Sequence, residues 1–132
     1  MRIRHVLLGA LVAASTLSTA TTHLFNPDAK QPVALHVKDV FLVKLNTVSD
    51  GGYSWTYLTK SDGHLKLISQ TMESATQVDK KHPVMGAPKI TVFKFLVEKP
   101  GTDRIAFAYG RPWEMKKGVS ATQTIPIWIL VK

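Results

Sequence analysis

The feature that most constrains this chain is a hydrophobic period of two, repeated in short runs and never replaced by a sustained period of 3.6. Val33, Leu35 and Val37 alternate with Ala34, His36 and Lys38. Phe41, Val43 and Leu45 alternate with Leu42, Lys44 and Asn46, and Tyr53, Trp55 and Tyr57 with Ser54, Thr56 and Leu58. Further runs follow at 65–68, 90–98, 104–109 and 124–131. Successive side chains of an extended backbone point to opposite faces, so each run reads as a strand with one face buried. The runs are rich in β-branched and aromatic residues and are separated by turn residues, as strands require.

Seven such runs in about 110 residues predict an all-β, immunoglobulin-like β-sandwich of about seven strands. Trp55, in the third run, holds the place where such folds bury a core tryptophan. The chain has no cysteine, so the sandwich is expected to have no disulfide. Pro126 cannot donate a ladder hydrogen bond, which makes the last strand an edge, or bulged, at that point. The polar stretch 71–89, with Pro83, Gly86 and Pro88, is longer than an ordinary connection, and long ordered loops are often functional.

The first twenty residues read as a signal peptide. Arg2, Arg4 and His5 form a basic head before an apolar run from Val6 to Leu17, and Ser18 and Ala20 are small residues at −3 and −1 of a cut after Ala20. That run has about 12 residues, short of the ~20 that span a bilayer; the other reading is an uncleaved anchor. The expected organisation is a signal peptide over 1–20, a polar leader over 21–31 and one domain over 32–132. Such a protein is periplasmic or secreted. The formal charge of +8 falls to +6 with the peptide gone, and most lysines are scattered singly, unlike the stripe that binds phosphates. No nucleic acid and no stable membrane anchor are expected as partners.

No catalytic constellation is present. The histidines at 5, 23, 36, 64 and 82 show no metal-ligand spacing, so neither a metal nor a cofactor is expected, and there is no nucleophile elbow or phosphate-cradling loop. Three loops stand out instead. Asn46 to Gly52 joins the second and third runs, and its two glycines permit positive φ and close approach to another surface. Pro83 to Lys89 precedes the fifth run. Gly110 to Glu114 follows the sixth. In a sandwich of this connectivity these loops gather at one end. Trp113, beside Pro112, is either an interface anchor or a plug folded onto the core, and Arg111 is either a contact residue or an ion-pair partner for Glu114 or Asp50.

The order of signal peptide, Gly52-Tyr53-x-Trp55, a glycine-containing long loop and Tyr109-x-Arg111-Pro112-Trp113-Glu114 resembles the chagasin-like inhibitors of papain-like cysteine proteases. The resemblance spans roughly residues 33–131. It implies a reversible, non-covalent, competitive inhibitor that wedges three loops into the protease cleft; a monomer is expected. The implied loops are Ser49, Asp50, Gly51, Gly52 and Tyr53; Gly86, Ala87, Pro88 and Lys89; and Arg111, Pro112, Trp113 and Glu114. Asp50 stands where family members carry the threonine nearest the catalytic Cys-His pair, and Gly86-Ala87-Pro88-Lys89 replaces a usual Gly-x-Gly-Gly. The alternative is a non-inhibitory exported immunoglobulin-like module that binds an envelope protein or glycan.

Overall fold

The computed structural model describes residues 20–48, 51–58, 63–74 and 88–132. Among the described residues, eight strands form two four-stranded sheets. They are β1 (Thr22–Leu24), β2 (Val33–Leu35), β3 (Val40–Thr47), β4 (Ser54–Leu58), β5 (Leu65–Ser74), β6 (Lys89–Val97), β7 (Gly101–Gly110) and β8 (Gln123–Val131). One sheet has the order β1-β3-β6-β5 and the other β2-β8-β7-β4. β1 and β2 pair parallel with β3 and β8, and all other pairs are antiparallel.

The period of two maps onto burial. Phe41, Val43 and Leu45 of β3 and Phe93, Phe95 and Val97 of β6 face Trp55 of β4, Ile105 and Phe107 of β7 and Ile127, Ile129 and Val131 of β8. Rings interlock between the sheets: Phe93 lies 4.7 Å from Phe107, and Tyr57 meets Phe95 edge-on at 5.0 Å. Each fully buried Phe, Leu or Ile contributes roughly 1.5–3 kcal/mol by leaving water, so this alternation is the main driving force for the sandwich.

All seven runs become strands, with differences at their margins. The segment 21–31, expected as a polar leader ahead of the domain, supplies an eighth strand. β1 pairs with Val40, Phe41 and Leu42 of β3, and Phe25 is buried against Phe41 with ring centroids 6.3 Å apart. Residues 71–74, expected to open a loop, continue β5 to Ser74 as a solvent-exposed edge, with a bulge between Leu67 and Ser69. β2 ends at Leu35, so His36 lies in the turn that follows rather than on a strand. At Pro126, β8 keeps its register with Ala106 of β7, while β2 pairs with β8 only at Ile129, Leu130 and Val131. The prolyl nitrogen therefore falls on an open edge rather than at a bulge.

Candidate functional site

Register fixes which connections share one end of the sandwich. Thr47, the last residue of β3, pairs with Lys89, the first of β6, which also pairs with Ser74, the last of β5. In the other sheet Ser54, the first of β4, pairs with Gly110, the last of β7, and Tyr109 pairs with Gln123, the first of β8. The β3–β4, β5–β6 and β7–β8 connections therefore leave from the same end. Beneath it the hydroxyls of Thr47 and Thr91 meet at 2.6 Å in a buried pair. Lys89 belongs to β6 rather than to the loop, Pro88 is exposed, and Gly86 and Ala87 lie outside the described residues.

The third loop is a helical turn rather than irregular chain. α1 (Pro112–Lys116) starts on an extended Arg111, with Pro112 in the first turn where its missing N–H matters least. The N–H groups of Glu114 and Met115 both donate to the Arg111 carbonyl at 3.0 Å. The Met115 side chain lies against Gly110, where a Cβ would meet its sulfur at 3.0 Å, and this holds the turn on the end of β7.

Arg111 joins this turn to the first loop. Its Nε donates to the Gly51 carbonyl at 2.8 Å, its Nη1 donates to Glu114 Oε1 at 3.0 Å, and its guanidinium lies 4.7 Å from the Tyr53 ring centroid. The Glu114 hydrogen bond, then the Tyr53 phenol and the Glu114 charge, hold its pKa above the usual guanidinium value against the opposing pull of burial. Tyr53 stacks on Tyr109 at 5.7 Å, and Tyr109 lies 4.9 Å from Trp55. A ladder of four planar groups thus runs from the loop tips into the core. Trp55, 5% exposed, anchors its lower end and donates its indole N–H to the Asn46 carbonyl across the sandwich at 2.9 Å. The Tyr109 hydroxyl bridges both backbone polar groups of Val48, each at 3.2 Å.

Gly51 and Gly52 have φ of +73° and +80°, a region side chains rarely enter. Gly52 also leaves the space that Trp113 fills: a Cβ there would run into the indole, with the Cζ3 atom at 3.1 Å. Trp113 remains 52% exposed, so it rests on the first loop without plugging the core. The structure therefore brings together Gly51, Gly52, Tyr53, Arg111, Pro112, Trp113 and Glu114. Ser49 and Asp50 lie outside the described residues. The motif names Tyr109 but not its role, because its alternation with Ala108 reads as an ordinary strand position. Among the described residues, no cluster of His, Asp or Glu could hold a metal ion.

A family model described as the chagasin family peptidase inhibitor I42 matches residues 34–127, and the chain belongs to that family. Among solved structures it is similar to the cysteine protease inhibitor EhICP2 from Entamoeba histolytica. The TM-score is 0.63 and the identity 24%, over 86% of this chain and 97% of that one. It is also similar to amebosin in solution, with a TM-score of 0.58 and 20% identity over 86% of this chain and 99% of that one. These likenesses bear on the fold. No curated protein matches the sequence significantly.

Proposed function

We propose that this protein is exported, loses residues 1–20 and acts as a monomeric, reversible, competitive inhibitor of papain-like cysteine proteases. The observation that carries this reading is the interlock of the first and third loops, in which Arg111 grips Gly51 and Trp113 fills the space over Gly52. Two loops locked to each other present a pre-shaped wedge, so little conformational entropy is lost on docking. A half-exposed tryptophan on a turn stiffened by Pro112 is the type of residue that most often anchors an interface.

The mode of block follows from what the wedge contains. Its described side chains offer an indole, a phenol and a neutralised Arg–Glu pair, none of them an electrophile that a thiolate attacks. The chain has no thiol to exchange with the enzyme's thiolate. Inhibition by occupancy of the cleft is then reversible. A net charge of +6 after processing speeds encounter with an acidic protease surface and leaves specificity to the loops. Titrating papain with the purified protein tests the reading. The expected result is competition with a peptide substrate and recovery of activity on dilution. No inhibition at high micromolar concentration, with the fold intact by circular dichroism, contradicts it.

A further inference from the structure

Asp39 lies in the turn before β3 with its side chain 5% exposed. Its Oδ2 accepts the His36 N–H at 2.9 Å and faces His23 Nε2 at 2.9 Å, with His36 Nδ1 at 3.8 Å. Its Oδ1 accepts the backbone N–H of Thr21 at 3.2 Å. Thr21 is fixed on its other side too, because its carbonyl accepts the Val40 N–H at 3.0 Å. A buried carboxylate is expensive unless it is paired, and the ion-pair partners described for Asp39 are two imidazoles that carry charge only when protonated.

The sequence marks the same residue by a separate route. Ser18 and Ala20 place a leader-peptidase cut at the Ala20–Thr21 bond, and Ala20 is exposed. Hydrolysis there consumes one water. The carboxylate formed on Ala20 departs with the leader, and the amine left on Thr21 takes up a proton, since an α-amine beside a carboxylate is mostly protonated at neutral pH. The nitrogen that now donates one neutral N–H to Asp39 becomes a formal cation in the same place.

We propose that Ala20–Thr21 is the processing site and that cleavage creates an ion pair between the new α-ammonium of Thr21 and the buried Asp39, locking β1 onto the sandwich. This rests on the export reading above and not on inhibition. The mature domain is then completed by its own maturation. Asp39 ties together the N-terminal strand, the turn after β2 through His36, and the end of β6 through the Val97 N–H, which donates to its carbonyl at 2.9 Å.

The test compares a chain beginning at Thr21, released from a fusion by a protease that leaves no extra residue, with one beginning at Thr19. Both are made with Asp39 and with Asp39→Asn. The two extra residues should lower Tm by about 5 °C in the Asp39 background and change it by no more than about 1 °C in the Asp39→Asn background. Independently of whether Asp39→Asn folds, an acylating reagent at pH 7 should label the Thr21 amine about tenfold more slowly than the Thr19 amine, because the ion pair holds the amine in its protonated, unreactive form. Equal Tm and equal labelling overturn the ion pair. The intact mass of the full chain exported from a bacterial host should match a start at Thr21. A different N-terminus overturns the processing step and leaves the two recombinant chains to decide the ion pair.

Discussion

Gly51 and Gly52 separate backbone strain from binding geometry, because they share one and differ in the other. Both sit at positive φ, +73° and +80°, so alanine at either position carries a backbone strain of roughly 1–2 kcal/mol. At Gly51 the new methyl meets the end of the Arg111 side chain at 3.2 Å and the Tyr53 ring at 3.5 Å, and a flexible guanidinium can give way. At Gly52 it overlaps the Trp113 indole, with Cζ3 at 3.1 Å, and a rigid bicycle on a helical turn must leave its place. Gly51→Ala and Gly52→Ala should therefore lose similar stability, about 4–8 °C in Tm. Their inhibition constants should diverge. Gly51→Ala should weaken papain inhibition by about threefold, and Gly52→Ala by about thirtyfold or more, the equivalent of displacing one hot-spot anchor worth about 2 kcal/mol. Steady-state inhibition with a fluorogenic peptide, run beside thermal melts, reads both. Equal inhibition constants for the two variants would refute the claim that the Gly52–Trp113 contact shapes the binding end.

Three further outcomes follow from the same geometry. Trp113→Ala should weaken inhibition by about 2 kcal/mol or more while moving stability by less than about 1 kcal/mol, because half the indole is already in water; a large fall in Tm would instead make it a structural plug. Trp55→Ala should remove about 3–5 kcal/mol of fold stability through an unfilled core site, measured by urea denaturation. Acid should act through Asp39. Burial pushes its pKa up, but the N–H groups of His36 and Thr21 and the side chain of His23 outweigh that and hold it below 3.8. The unfolded chain then takes up the proton first. The stabilisation is complete above the ordinary carboxylate range and drains away as pH falls below about 4. Tm measured from pH 6 to pH 2.5 should drop less steeply in Asp39→Asn than in the wild type.

The fold was largely legible in the sequence because a strand buried on one face writes its alternation into adjacent residues, as β3, β6 and β7 do. What escaped lacks that signature. Thr22–Leu24 is three residues long with two of them polar, and its place comes from parallel pairing with β3 and from Asp39 sixteen or more residues away. Residues 71–74 form an edge exposed on both faces, where no burial pattern is imposed. α1 has five residues, too few to show a helical period. At the candidate site, spacing pointed to three loops at one end. The link from Arg111 to Gly51 spans 60 positions, and no local rule reports a contact of that kind. The ladder from Arg111 through Tyr53 and Tyr109 to Trp55 is visible only once β4 and β7 lie side by side.

The central claim is that the end carrying the first, second and third loops occupies a papain-like cleft. Amide hydrogen exchange of the protein, alone and saturated with papain, tests it most directly. The outer face of the second sheet is the internal control, where Trp128 is 54% exposed beneath Arg104. The account predicts slowed exchange across 48–54, 86–90 and 110–116 and none at 126–130. Protection confined to the Trp128 face, or inhibition with unchanged exchange at all three loops, would contradict it.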